Sequence, residues 1–251
     1  MSNGFQFKQF FVQHDKCSMK VGTDGVLLGC WCPTANFKFQ NSNLRILDVG
    51  TGSGLIALML AQRFRAAQID AIDIDEASCL QARENFNASP WAERLHAAHC
   101  SLQTPPNPLS KGEWNYGQRY DLIVSNPPYF VNSLKAPDAA RCAARHNDTL
   151  PFDVLMAESA RRLAPDGTLA VIVPSEAEAE LQALAADNGL QCTRRCLVYP
   201  KPGRPAKRVL LAWQNTKATA IHGGLTTHLT LEDEQGGRSL DYQQLTRDFY
   251  L

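Results

Sequence analysis

The sequence predicts an α/β fold, a mainly parallel sheet covered by helices on both faces. Three observations predict it. From Arg45 onward, short β-branched runs alternate with segments whose apolar residues recur every three or four positions. The chain has 251 residues, enough for one domain of this class with additions. Hydrophobic residues make up 44% and charged residues 20%, a balance that excludes a disordered, collagenous or coiled-coil chain.

Taken in order, strands are predicted at Arg45 to Val49, Gln68 to Asp73, Arg94 to His99, Tyr120 to Ser125, Thr168 to Val173, Leu190 to Tyr199 and Lys207 to Trp213, seven in all. Helices fit between them at Leu55 to Arg65, Ala77 to Ala88, Phe152 to Leu163 and Glu176 to Asn188. Pro165, Asp166 and Gly167 are expected to stop the third helix, and Asn188 with Gly189 to stop the fourth through a left-handed terminal residue. Pro200 to Ala206 is too short for a helical crossover, so the strands it joins form a hairpin and the last strand runs antiparallel. The tail adds a strand at Thr226 to Leu231 and a short helix near Asp241 to Tyr250, docked on the sheet edge. Gln103 to Gln118, with three prolines and two glycines, reads as an exposed loop.

Lys and Arg number 25, as do Asp and Glu, so the formal net charge is zero and no global field draws a polyanion. Any nucleic-acid contact must be local. The longest stretch without an ionisable Asp, Glu, Lys or Arg, Leu95 to Ser110, holds three prolines and two histidines, so no membrane span is expected. Met1 to Lys16 has no continuous apolar block followed by a cleavage site, which argues against secretion. The eight cysteines show no metal spacing, so free thiols in a reducing cytoplasm and no metal are expected.

The first predicted strand runs out through Asp48, Val49, Gly50, Thr51, Gly52, Ser53 and Gly54 into a helix, which lets a cofactor approach the backbone beside the helix N-terminus. The spacing is G-x-G-x-G led by an acid, not the G-x-G-x-x-G that seats a pyrophosphate on a helix end. Asp48 would repel a pyrophosphate and suits a ligand with a cationic centre and an amino group. Asp73 closes the second strand 23 residues after Gly50, where an acid can accept from both ribose hydroxyls, with Ile74 beside it. Asp75 and Glu76 read as N-terminal charge for the next helix.

Asn126, Pro127, Pro128 and Tyr129 follow the fourth strand, at the carboxyl edge beside the first strand, where ligands of such sheets bind. An exocyclic amine on a planar ring is a poor nucleophile because its lone pair is delocalised. Two acceptors, the Asn126 side-chain oxygen and the Pro127 carbonyl, can each take one N–H and leave the lone pair aimed at an electrophilic methyl carbon, while Tyr129 stacks on the ring. These residues and Pro128 form the candidate catalytic set.

The acid-led glycine loop resembles that of the class I methyltransferases, which use S-adenosylmethionine. Asn126 to Tyr129 resembles the motif of N-methyltransferases acting on adenine, guanine or glutamine. Phe7 to Trp31, Ile46 to Arg63, Asn87 to Leu95, Leu122 to Phe130 and Leu245 to Leu251 together resemble the bacterial tRNA adenine-N6 methyltransferases that modify adenine 37 of valine tRNA. The resemblance covers nearly the whole chain and implies a seven-stranded Rossmann-like sheet, S-adenosylmethionine as methyl donor and tRNA as substrate. It also implies that the N-terminal segment covers the cofactor. Lys20, Thr23 and Asp24 are then candidates to touch its methionine end, with Asp24 alternatively an N-cap for a helix from Gly25. Relatives often carry an acid after the third strand for the adenine amino group, where this chain has Ser101.

The expected organisation is an N-terminal cofactor-covering segment (1–44), a methyltransferase domain (45–215) and a C-terminal strand-helix extension of it (216–251), with a monomer favoured. Arg194, Arg195, Lys201, Arg204, Lys207 and Arg208, with no acid among them, form a candidate RNA patch or else a solvated edge. Lys135, Arg141, Arg145 and His146 are candidates to hold a flipped base. Two other functions fit the same motifs. Protein glutamine N5-methylation would use the same acceptors, although the 44 residues before Arg45 are few for a separate recognition domain. A non-catalytic sensor that binds S-adenosylmethionine and RNA is disfavoured by the intact Asn126 to Tyr129 motif.

Overall fold

The computed structural model describes residues 4–17, 20–32, 43–103, 118–128, 150–218 and 224–251. Two three-residue strands, β1 (Gly4–Gln6) and β2 (Phe11–Gln13), pair antiparallel ahead of helix α1 (Thr23–Trp31). The predicted alternation follows: β3 (Arg45–Val49), α2 (Leu55–Arg63), β4 (Gln68–Asp73), α3 (Glu76–Asn87), β5 (Leu95–His99) and β6 (Tyr120–Ser125). The second half comprises α4 (Phe152–Arg162), β7 (Leu163–Pro174), α5 (Glu178–Asp187), β8 (Leu190–Tyr199), β9 (Arg208–Asn215), β10 (Leu225–Thr230) and α6 (Leu240–Thr246).

The large sheet has the order β10-β8-β9-β7-β6-β3-β4-β5. β9 runs antiparallel to both of its neighbours, as the short proline-rich connection requires. The tail strand adds an eighth member by pairing parallel to β8, in a continuous register from Leu225 opposite Arg194 to Thr230 opposite Tyr199. β3 and β6 are adjacent and parallel, with Val49 opposite Ser125, so Gly50 and Asn126 leave the sheet side by side.

Burial follows strand alternation. Ile46, Leu122, Val124 and Leu210 face one apolar cluster with α1 and α2, while Leu47, Val49, Ile123 and Leu211 face the other with α4 and α5. The first cluster draws on the N-terminal segment through Phe7 and Val26 and on the tail through Leu229 and Phe249. Lys8 N–H donates to the Phe249 carbonyl at 2.8 Å, and the Phe7 and Tyr250 rings stack with centroids 5.9 Å apart.

Two helix ends differ in their fate. Gly189, at φ 69°, follows α5 in the left-handed conformation and donates to the Ala186 carbonyl, as predicted. Pro165, Asp166 and Gly167, predicted to end α4, instead lie inside β7. The helix stops at Arg162 because Leu163 is already extended (φ −62°, ψ 137°), and Ala164, preceding a proline, disfavours the helical region. β7 then slips register against β6 between Tyr120 and Leu122.

Candidate active site

The turn between β3 and α2 is shaped by three glycines at φ 71°, 55° and 80°, Gly50, Gly52 and Gly54. A Cβ built on Gly50 or Gly52 would meet nothing within 4 Å, so both edges of the loop face open space. On Gly54 it would strike Phe86 at 2.5 Å, so this glycine serves packing against α3. Gly50 and Thr51 N–H groups donate to the Ile72 carbonyl at 2.9 and 3.1 Å, which fastens the loop to β4.

Asp48 is 1% exposed. Its Oδ2 accepts from Thr51 Oγ1 at 2.7 Å and from Ala57 N–H at 3.2 Å, while its Oδ1 has no partner among the described residues. Burial pushes the carboxyl up to about 7, with the two hydrogen bonds opposing. A buried acceptor without a donor is costly in a finished core, so the atom is suited to a ligand that brings its own donor or cation. Asp73 accepts from Gly52 N–H at 2.9 Å through Oδ2 and from Asp75 N–H at 3.0 Å through Oδ1, and burial raises its pKa. Each oxygen retains lone-pair capacity for a hydroxyl donor. Ile74, next in the chain, is 44% exposed beside it, an apolar surface for a planar ring.

Asp75 takes the structural part expected of it. It is the N-cap of α3, accepting from Ala77 and Ser78 N–H and from the Ser78 hydroxyl, and these bonds lower its pKa. Ser101, half-buried after β5, accepts from Gln103 N–H at 3.2 Å.

Ser125 is fully buried and donates to the Val49 carbonyl at 2.8 Å, which locks the exit of β6 against the glycine loop. Asn126 follows, and its buried Oδ1 has no partner among the described residues. Pro127 is buried and Pro128 half-buried. Tyr129, with Lys135, Arg141, Arg145 and His146, lies outside the described residues.

Lys20 and Thr23 are exposed at the entry to α1. The N-cap of that helix is Gly22, not Asp24, because the helix already begins at Thr23. Asp24 Oδ2 instead pairs with Arg208 Nε at 2.8 Å. Gly25 lies so near α2 that a Cβ there would meet Leu55 at 3.1 Å, so α1 starts against the helix that the glycine loop feeds.

The candidate RNA patch is largely engaged within the protein. Arg194 lies over the Trp31 ring at 4.6 Å, Arg195 pairs with Glu178, Lys201 with Glu232 at 2.9 Å and Arg208 with Asp24. Among the described residues, Arg204 and Lys207 form no ion pair, and both are exposed on the β8–β9 connection. That connection lies at the same end of the sheet as Asn126, since β8 runs parallel to β6.

One residue escaped the sequence reading. Asn85 of α3, 2% exposed, donates from Nδ2 to the Ser53 carbonyl in the glycine loop at 2.8 Å. Its signal was an amide on the buried stripe Ser78, Gln81, Ala82, Asn85 and Phe86, where an apolar side chain is the rule.

Comparison with known proteins adds three findings. Residues 35–187 match the family model "Methyltransferase small domain". Curated relatives named tRNA1(Val) (adenine(37)-N6)-methyltransferase include one from Parabacteroides distasonis, 47% identical over 98% of this chain and 97% of that one. Another, from Aeromonas hydrophila, is 43% identical over 100% of this chain and 98% of its own. Among solved structures, a predicted O-methyltransferase of Agrobacterium tumefaciens superposes with a TM-score of 0.64 at 16% identity, covering 90% of this chain and 96% of that one. That likeness concerns the fold alone.

Proposed function

The chain belongs to the methyltransferase small domain family, and we infer that it transfers a methyl group from S-adenosylmethionine to the N6 amino group of adenine 37 in valine tRNA. The observation that carries this reading is the pair of buried oxygens without a partner among the described residues, Asp48 Oδ1 and Asn126 Oδ1, where two adjacent strands leave the sheet side by side.

The residues fit S-adenosylmethionine. Gly50, Thr51, Gly52, Ser53 and Gly54 would present backbone to it, Asp48 would offer a carboxylate oxygen to its cationic end, and Asp73 would accept from its ribose hydroxyls. Ile74 and Ser101 would flank the adenine, and Lys20, Thr23 and Asp24 would lie toward the methionine end, Asp24 while also paired with Arg208. When bound, it supplies an electrophilic methyl carbon on a sulfonium. Asn126 Oδ1 and the Pro127 carbonyl take the two N6 protons as hydrogen bonds and so turn the amine lone pair toward that carbon. Pro128 stiffens the turn, and Tyr129 stacks on the target base. Attack by that lone pair would form the new N–C bond as the methyl–sulfur bond breaks, its electron pair remaining on sulfur. The cationic N6 then releases one proton to solvent, so no strong base is required before attack.

Three further properties belong to the same reading. Cys30, Cys32 and Cys79 are buried free thiols pushed up to about 12 by burial, which supports a reducing cytoplasm. Residues 1–44, 45–215 and 216–251 act as one unit, supported by their shared apolar cluster. Among the described residues the exposed large apolar side chains are spread over β1, β2, α3, β10 and the tail rather than gathered on one element, which supports a monomer.

The test is methyl transfer from labelled S-adenosylmethionine to unmodified tRNA, ribosomal RNA, DNA and a glutamine-bearing release factor, followed by digestion and mass spectrometry. N6-methyladenosine from tRNA alone is expected. Label in protein alone would reassign Asn126 to amide chemistry, and cofactor binding without label anywhere would make the chain a sensor.

A further inference from the structure

α3 carries a strip of polar side chains where a helix buried on that side would ordinarily carry apolar ones. Gln81 is 0% and Asn85 2% exposed. The Asn85 side chain pairs with a β2 backbone as another strand would: Oδ1 accepts from Gln13 N–H at 2.9 Å and Nδ2 donates to the Gln13 carbonyl at 2.8 Å. The second proton of the same amide goes to the Ser53 carbonyl at 2.8 Å. One turn earlier, Gln81 Oε1 accepts from Lys16 N–H at 3.0 Å, and between them Glu84 pairs with Lys16 Nζ. The arm fastened in this way, residues 13–17, then passes the cofactor-facing end of β4. There burial raises the Cys17 thiol pKa, with Asp15, Asp73 and Asp75 adding to the rise.

We propose that Asn85 is a positioning residue that holds the glycine loop and the covering N-terminal arm in a single register, so that the cofactor meets both in place. Three main-chain groups, from two segments 40 residues apart in sequence, share one buried amide. Losing that amide strands a donor and two acceptors away from water, and each segment relaxes to recover a partner. Asn85 has no contact with the reacting atoms in this scheme. It therefore governs cofactor binding and leaves the chemical step, set by Asn126, nearly untouched. The proposal rests on the reading of the glycine loop as the S-adenosylmethionine site.

The experiment measures S-adenosylmethionine affinity by calorimetry, kcat at saturating cofactor and backbone hydrogen exchange, in the unmodified full chain, Asn85→Ala, Asn85→Asp and Gln81→Met. Asn85→Ala is expected to weaken cofactor binding by about tenfold or more, as the loss of one or two hydrogen bonds implies, with kcat within about threefold. Residues 13–16 and 52–55 should lose exchange protection together. Asn85→Asp keeps the acceptor for Gln13 N–H but loses both donors, so it should follow Asn85→Ala and stands in for it if that variant does not fold. Gln81→Met loosens the arm alone and should leave affinity within about threefold. A cofactor affinity in Asn85→Ala or Asn85→Asp equal to that of the unmodified chain, whatever the loss in Tm, would overturn the proposal. So would a Gln81→Met defect as large as theirs. Absence of cofactor binding in the unmodified chain would overturn the underlying reading of the loop instead.

Discussion

The ligand-facing edge of the sheet changes character across β6. At the ends of β3 and β6, Asp48 and Asn126 bury oxygens that have no hydrogen-bond partner among the described residues. On the β7 to β9 side, Asp24, Glu178 and Glu232 already engage three of the cations that look most available in the sequence. The two sides teach different lessons about reading function from polar residues. A buried acceptor without a donor at the carboxyl ends of adjacent parallel strands points to a ligand, because position and unmet hydrogen-bonding capacity agree there. An exposed cation with an internal partner is largely spent, so a run of six positive charges overstates the field that RNA would meet.

Removing the Asn126 acceptor strikes this contrast hardest. Asn126→Ala should lower kcat by about a hundredfold or more while cofactor affinity changes little, read from steady-state kinetics and calorimetry. Unchanged turnover would mean that the unpartnered oxygen is incidental.

Asp48 sharpens the same side through pH. Its folded pKa, about 7, lies above the ordinary value of 3.8. The folded state therefore binds a proton that the unfolded chain has released, and its stability contribution falls as pH rises from about 4 through about 7. In the cofactor-free protein, Asp48→Asn should melt above the unmodified chain at pH 8, with the gap narrowing at pH 5. A cationic ligand prefers the ionised carboxylate, so affinity for S-adenosylmethionine should fall by about tenfold between pH 8 and pH 6, and Asp48→Asn should flatten that profile. A profile unaltered by the substitution would separate Asp48 from the ligand.

The opposite side can be broken by salt dependence. Removing Arg204 and Lys207 together should lower the slope of log Kd for tRNA against log salt by about 1.4, as for two phosphates on single-stranded RNA. Removing Arg195 or Arg208 should leave it unchanged, because their charge is already paired. Equal effects from both sets would erase the distinction between spent and available cations. The smallest effect expected is purely structural: Asp75→Ala should cost about 1 kcal/mol in urea unfolding through loss of the α3 cap, with no change in turnover.

Much of this contrast was legible in the sequence, though unevenly. The strands from β3 to β9 lie within a residue or two of expectation except for the early start of β7, because buried β-branched runs bounded by turn residues leave few alternatives. The glycine loop, Asp73 and Asn126 were legible because strand-end position and residue chemistry agree. α1 was legible only as the alternative helix from Gly25 that Asp24 would cap, since Gly25 to Trp31 are all buried and such a helix has no polar face to set a period. β1 and β2, three residues each, are too short to show alternation. The ion pairs of the basic run were illegible for another reason: Asp24 and Arg208 are 184 positions apart, and only the fold brings them together.

The meeting of the chain's early and late residues has a consequence for how the protein is made. Lys8 Nζ donates to the Arg247 carbonyl across 239 positions, and Phe7 stacks on Tyr250. Contacts of such sequence separation close late in folding. On the ribosome, the arm that carries Gln13 to Lys16 waits for residues near Phe249 before its own aromatic cluster is complete. A nascent chain can therefore build the central sheet long before its N-terminal arm is anchored, and a product cut short near Leu245 would keep the sheet while losing the clasp that steadies the arm.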